Sequence, residues 1–254
     1  MASEDKYALA PDLGGLFNSE RYSDLRINDS NGLSYNVHRA IVCGQSPVLA
    51  NACKPEHGFK EATTGTIDLP NDEPEAVKAM LVFLYTGSYT TKGHAHPLLL
   101  SAQAYAMGEV YQIPKLKAFS RHAFSALAAT GWQSTDFADA VDVVYGCTPP
   151  GGDQDGMRRA AVHVVCEHFH ALADMPDFRD VLETHADLAK DVLYHLARLN
   201  PGGLIRKNYQ CWSKKLGNHF VQLDVDLGAR SGTVVACPQC QTPRTLKDWQ
   251  TALL

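Results

Sequence analysis

The stretch that decides the fold runs Ser23-Asp24-Leu25-Arg26-Ile27, Tyr35-Asn36-Val37-His38-Arg39-Ala40-Ile41-Val42, Ser46-Pro47-Val48-Leu49, Phe59-Lys60-Glu61, Thr66-Ile67-Asp68-Leu69 and Phe83-Leu84-Tyr85-Thr86-Gly87-Ser88-Tyr89. Leu25 and Ile27 lie two apart. Leu33, Tyr35 and Val37 repeat that alternation beyond the turn-forming residues Asn28 to Gly32, so the spacing predicts a strand, a hairpin and a second strand. His38 to Cys43 and Pro47 to Cys53 read as two short helices broken between Gly44 and Pro47, and Thr66 to Leu69 as a short strand. Asp72-Glu73-Pro74-Glu75 then opens a longer helix. A capping acid, a proline in the first turn and a further acid suit the unpaired amides and the positive end of the helix dipole. Val77, Met80, Leu81 and Leu84 follow at helical spacing, and Gly87 ends the run.

Taken in order, these matches resemble a BTB/POZ domain over residues 21–127. The resemblance implies an α+β fold, a short β-sheet flanked by helices, and a role in docking other proteins without catalysis. Pro97 opens a helix carrying Leu98 to Met107, and Pro114 opens one carrying Leu116, Phe119, Ala123 and Leu127.

Outward from this core the pattern changes twice. Residues 1–20 hold few large apolar groups and read as a flexible leader, with a short helical turn at Leu13 to Phe17. Residues 132–199 are helical again, with faces Phe137/Val141/Val144/Tyr145, Ala161/Val165/Phe169/Leu172, Phe178/Val181/Leu182 and Leu188/Val192/Leu196/Leu199. Ser134 is the expected cap of the first, and Cys147 to Gly156 a Pro/Gly/Asp joint. This extension resembles the helical BACK segment that follows many BTB domains. Residues 205–254 switch to period two: Val221, Leu223, Val225 and Leu227 alternate with polar residues, Gly228 to Gly232 is a turn, and Thr233 to Ala236 is expected to pair back. A small β-hairpin unit ending in Cys237-Pro238-Gln239-Cys240 is the reading.

Composition bounds the function. The chain has 254 residues, 45% of them apolar, and a net charge of −5, so it is globular and has no basic excess to neutralise phosphates. Nucleic acid is therefore not an expected partner, and no segment of 18 apolar residues free of charge predicts a membrane span. The start, Met1-Ala2-Ser3-Glu4-Asp5-Lys6, lacks the basic-then-apolar order of a secretory signal, which predicts folding in the cytoplasm or nucleus with the seven cysteines mostly reduced. No glycine-rich phosphate loop and no Gly-x-Ser-x-Gly elbow calls for an enzyme.

The candidate site residues fall in three groups. The resemblance places Asp24 and Arg39 where an acid and a base of BTB domains meet near a dimer seam; a structural tie within one subunit, or two solvated charges, is the other reading. It also matches Phe59-Lys60-Glu61 to a hydrophobic-x-Glu signature that contacts the cullin scaffold of ubiquitin ligases, against the plainer reading that Phe59 packs under a loop and Glu61 is solvated. His38 is, in the family pattern, a structural residue at a helix start. Cys237-x-x-Cys240 is half of a zinc-ribbon pattern, and Cys211 is the natural third ligand. Fungal BTB proteins, which this chain resembles, often end in two such pairs. Here Lys214 stands where the second cysteine of the other pair is expected, so His219 is the candidate fourth ligand. Three readings stand: a Cys₃His zinc site, a degenerate ribbon that folds without metal, and a redox pair of Cys237 and Cys240. His163, Cys166 and His170 share a helix face and read as a helix–helix contact before a metal site, and His94 and His96 read as exposed loop residues.

The leading functional expectation is a scaffold or substrate adaptor for a cullin-type ubiquitin ligase, with Phe59 and Glu61 facing the scaffold, an unknown client on the extension or tail, and homodimerisation open. The alternatives are a transcription-linked oligomerisation protein with a zinc-stabilised tail and a cysteine-dependent redox protein.

Overall fold

Strands β1 (Leu25–Asn28) and β2 (Ser34–Val37) pair antiparallel with Leu25 opposite Val37 and Ile27 opposite Tyr35, so the alternating apolar residues share one buried face. Asp29 makes the turn. Its Oδ1 accepts the amides of Asn31 at 3.0 Å and Leu33 at 2.9 Å, and its Oδ2 accepts the Tyr35 hydroxyl at 3.3 Å. The computed structural model describes residues 11–57, 59–149, 156–199, 205–213, 216–225 and 234–251.

A 3-10 turn at Pro11–Leu16 precedes β1, and between β2 and the third strand come α1 (Arg39–Gln45), α2 (Pro47–Ala52), a 3-10 turn at Pro55–His57 and α3 (Lys60–Thr64). β3 (Thr66–Asp68) then adds parallel to β1, giving the order β2-β1-β3. Ser46 ends α1 and caps α2: its hydroxyl accepts the Leu49 amide at 3.1 Å and donates to the Tyr111 carbonyl at 2.7 Å. α4 (Pro74–Thr86) ends at Gly87, whose φ of 75° is the left-handed conformation a helix terminus of this kind requires.

One capping expectation fails here. Glu73 occupies the N-cap of α4 without a side-chain cap, and Asp72 accepts the Tyr111 hydroxyl at 2.5 Å instead. A tertiary partner 39 residues away has claimed the carboxylate. Ser134, too, sits at the N-cap of α7 (Thr135–Cys147) without capping it; its hydroxyl donates to the Gly131 carbonyl at 2.8 Å.

Helices α5 (Pro97–Val110) and α6 (Pro114–Gly131) follow, then α7, α8 (Met157–Leu172), α9 (Pro176–Thr184) and α10 (Ala186–Leu199). Two compact units divide the chain, residues 1–192 and 193–254. The first unit has two cores, and α5 serves both. Leu100, Ala104 and Met107 face the core built on the sheet and α4, while Leu98, Ala102 and Tyr105 face the core built on α6 to α10. Each set keeps the i, i+4, i+7 spacing, so α5 is apolar on two sides, as a helix buried between layers must be. α6 runs continuously through residues 127–131, where the sequence marks the end of the BTB-like region. At Gly108 an added Cβ would come within 2.6 Å of Lys117 Cγ and 3.1 Å of its backbone nitrogen, so glycine lets α5 and α6 cross closely.

Arg158 anchors the far end of the helical layer. Its side chain is 5% exposed; Nε donates to Thr148 Oγ1 at 2.6 Å, the guanidinium also donates to the Thr148 carbonyl, and Nη1 lies 3.6 Å from Asp187 and 3.8 Å from Asp191 of α10. The guanidinium carbon stacks 4.3 Å from the Tyr145 ring centroid. Most of the joint at Cys147 to Gly156, residues 150–155, lies outside the described residues.

The second unit corrects one strand pairing. The run at Val221 is β5 (Gly217–Val225), but it pairs antiparallel with β4 (Ile205–Ser213), not with the segment at 233–236. β6 (Val234–Ala236) pairs instead with β7 (Pro243–Thr245), after which α11 (Leu246–Thr251) closes the unit. Polar Arg206, Lys207 and Asn208 dilute the alternation of β4, which hides the strand in the sequence. The turn expected at Gly228 to Gly232 lies outside the described residues. Tyr209, Cys211, Val221, Leu223, Cys237 and Trp249 form the core among the described residues.

Candidate functional site

Asp24 and Arg39 meet within one chain. Asp24 Oδ1 accepts the Arg39 amide at 2.7 Å, and Arg39 Nε donates to the Asp24 carbonyl at 3.3 Å. Asp24 thus supplies the N-terminal cap of α1 that the adjoining His38 side chain does not. The His38 ring bridges two layers: Nδ1 contacts the Tyr85 hydroxyl at 2.8 Å and Nε2 the Arg21 carbonyl at 2.8 Å, while the His38 amide donates to the same Tyr85 oxygen at 2.9 Å.

Phe59 and Glu61 stand at the start of α3. Phe59 occupies the N-cap with half its surface, 52%, exposed, and Glu61 lies half-buried in the first turn. Phe59 therefore does not pack under a loop in full. An exposed aromatic beside a carboxylate is the type of group that anchors protein interfaces.

The second unit brings Cys211, His219, Cys237 and Cys240 together, with one ligand-type atom from each, all within 4.8 Å of one another. Register explains the half contributed by the hairpin. Cys211 and His219 are directly opposite across β4–β5, so both side chains project from the same face. The other half is the knuckle after β6, where the Cys237 amide donates to the Thr242 carbonyl at 2.9 Å and the Gln241 amide to the Cys237 carbonyl at 2.8 Å. Gln241 takes a φ of 57° to close that turn.

The distances suit a tetrahedral ion. Zinc bonds of about 2.3 Å to sulfur and about 2.0–2.1 Å to nitrogen set edges of about 3.8 Å between sulfurs and about 3.5 Å between sulfur and nitrogen. Cys211 Sγ and Cys240 Sγ are 3.7 Å apart, and His219 Nε2 is 3.3 Å from Cys237 Sγ. His219 Nδ1 lies 3.0 Å from the Gly217 carbonyl, a contact that places the ring proton there and leaves the Nε2 lone pair facing the sulfurs, as a metal ligand requires. Burial pushes the Cys211 thiol up to about 11, reinforced by Cys237 and Cys240. Cys237 goes the other way: burial disfavours its thiolate, but the amides of Cys240 and Gln239 and the His219 ring hold it below the ordinary thiol value. His219 is shifted upward, chiefly by its bond to Cys237. Lys214 lies outside the described residues.

The other histidines behave differently. Of the three residues expected at a helix–helix contact, Cys166 directs its sulfur to the Val192 carbonyl of α10 at 3.9 Å, whereas His163 and His170 are exposed and His163 approaches Glu167 of its own helix at 4.0 Å. His96 is the exposed loop residue its sequence context predicts, while His94 is half-buried; the His96 Nδ1 lies 2.6 Å from Asp136 Oδ1, a carboxylate whose side chain is 9% exposed. The pair sits at the edge of an open cavity of about 460 Å³ between the starts of α5 and α7. Its members are 40 residues apart, and no local signal links them.

The hairpin, the parallel third strand, the short helices and the α4–α6 layer now stand together with a matching family. The BTB/POZ domain family model matches residues 13–118, which takes in the leader turn, the whole first sheet and α1 to α5. The N-terminal part of this chain is a BTB/POZ domain, a protein–protein interaction module.

Proposed function

We propose that this protein is a scaffold or substrate adaptor of a cullin-type ubiquitin ligase in the cytoplasm or nucleus. The observation that carries the reading is the half-exposed Phe59 presented beside Glu61 at the start of α3. The aromatic fills an apolar pocket of the scaffold while the carboxylate fixes orientation at its edge. The helical extension or the tail holds the client, and no chemistry of the chain's own is invoked. Pull-down of the full chain with a cullin tests it: the native protein is captured, and Phe59→Ala with Glu61→Ala reduces capture at least tenfold with the circular dichroism spectrum unchanged. Equal capture of both forms, or none of the native form, defeats the reading.

The chain also self-associates in this reading, with Asp24 and Arg39 near the seam. Light scattering of the native protein and of Arg39→Glu measures it; a monomer in both rejects the dimer.

A second reading, favoured by the convergence of Cys211, His219, Cys237 and Cys240, is a transcription-linked oligomerisation protein whose tail is stabilised by one Zn²⁺. Four donors leave no open coordination position, the arrangement of a structural ion. Metal analysis of the purified chain tests that: one zinc per chain, lost in Cys237→Ser. Rapid reaction of Cys237 with a disulfide reagent in metal-free protein, together with no zinc, favours the redox pair instead.

A further inference from the structure

The two halves of the ligand set come from two different sheets. Cys211 and His219 sit on β4–β5; Cys237 and Cys240 sit on the knuckle that joins β6 to β7. No strand pairing links these sheets among the described residues. What joins them is the sulfur–imidazole cluster, a hydrogen bond from Gln239 Nε2 on the knuckle to the Phe220 carbonyl of β5 at 3.3 Å, and a small core in which Trp249 packs at 5.8 Å against Tyr209 and donates its indole N–H to the Val235 carbonyl at 3.1 Å. Two of the six described core side chains, Cys211 and Cys237, are members of the cluster. Metal-donor side chains thus share the core of this unit with Tyr209, Val221, Leu223 and Trp249.

We infer that residues 205–251 form a metal-gated folding unit: one Zn²⁺, held by the sulfurs of Cys211, Cys237 and Cys240 and by His219 Nε2, is what fastens β4–β5 to β6–β7, and its removal unfolds this unit while the BTB domain and its helices stay folded. The inference rests on the zinc reading of the tail and goes beyond it. A ribbon that merely bound zinc would keep its strands when stripped. Gating follows from the topology, because both hairpins are two-stranded and an isolated two-stranded hairpin is at best marginally stable in water. Without the ion, the buried Cys211 and Cys237 would face the half-exposed Cys240 and His219 across contacts of 3.7 Å and 3.3 Å, with no ion to hold the four groups together. Binding is balanced simply: the cysteines release their thiol protons to solvent as three sulfur bonds and one nitrogen bond to the ion form. Soft thiolate donors with one imidazole select zinc over magnesium or calcium. The unit can thus switch between an ordered and a disordered tail with metal supply, while the N-terminal docking module stays constant.

Hydrogen exchange of the full chain, read by mass spectrometry before and after a zinc chelator and again after zinc is restored, tests this. The expected result is one zinc per chain, loss of protection in peptides from 205–225 and 234–251 on chelation, unchanged protection in 25–192, and recovery on re-addition. His219→Cys keeps both zinc and protection; Cys237→Ser loses both in the tail alone. In the native chain, Co²⁺ in place of zinc gives the visible spectrum of a tetrahedral thiolate site. Zinc bound, with tail protection unchanged after its removal, overturns the gating and leaves the zinc reading intact. No zinc and a fully protected tail in the metal-free chain overturns both. Loss of protection throughout 25–192 on chelation also overturns the inference, since the switch would not then be confined to the tail.

Discussion

Replacing Tyr85 by phenylalanine removes one oxygen atom from a wholly buried ring. That oxygen accepts the His38 amide at 2.9 Å and meets His38 Nδ1 at 2.8 Å, so a single substitution strips two buried polar groups of their partner. A buried donor or acceptor left unsatisfied costs about 1–3 kcal/mol. With two such groups and some relaxation, the expected loss is about 2–4 kcal/mol. For a unit of this size each kcal/mol lowers Tm by about 2–4 °C, so Tyr85→Phe should melt about 5–15 °C below the native protein. Differential scanning calorimetry and urea unfolding of the full chain measure it. Tyr89→Phe is the comparison, because it removes a buried hydroxyl that bonds the Ser120 and Ser101 hydroxyls rather than a backbone amide and an imidazole. If Tyr85→Phe lowers stability by less than about 1 kcal/mol, or no more than Tyr89→Phe, then the His38–Tyr85 tie does not hold α1 to α4 as argued.

Two further outcomes follow from the first unit. Burial pushes the Tyr35 hydroxyl up to about 12, with the Asp29 carboxylate adding to it, and burial pushes Tyr85 up to about 12 as well. A raised folded-state value means stability fully present below the ordinary tyrosine range near 10 and lost as pH climbs toward 12; spectrophotometric titration should show these phenolates appearing together with the loss of secondary structure, and reversible ionisation without unfolding would contradict it. Arg158→Met removes the charge that faces Asp187 and Asp191 and leaves the Thr148 carbonyl without its guanidinium partner, so thermal unfolding should report a loss of about 3–5 kcal/mol, and a neutral or stabilising result would make the network dispensable.

Features governed by neighbours in sequence were legible, and those governed by distant partners were not. The hairpin at Asp29, the arrest of α4 at Gly87 and the apolar faces of α7 to α9 follow from alternation, turn chemistry and helical period, all local. Asp72 looked like a cap because the sequence says nothing of Tyr111. β4 was missed because its inward residues, Tyr209 and Cys211, are not strongly apolar and its neighbours are basic. The four members of the cysteine–histidine cluster were found from chemistry, while the reason His219 belongs among them is the β4–β5 register, which centres the turn midway between 211 and 219. Asp24 and Arg39 meet within one chain through the Arg39 amide and the Asp24 carbonyl, contacts of the backbone that side-chain charge in the sequence does not announce.

The helix Pro97–Val110 has a consequence for anyone who isolates the recognised part of this protein. The match to the family ends at residue 118, inside the next helix, and a fragment cut there keeps Leu98, Ala102 and Tyr105 but discards what covers them. Such a piece would be sticky along that stripe, prone to clump at working concentrations, and would report binding that the intact polypeptide never performs.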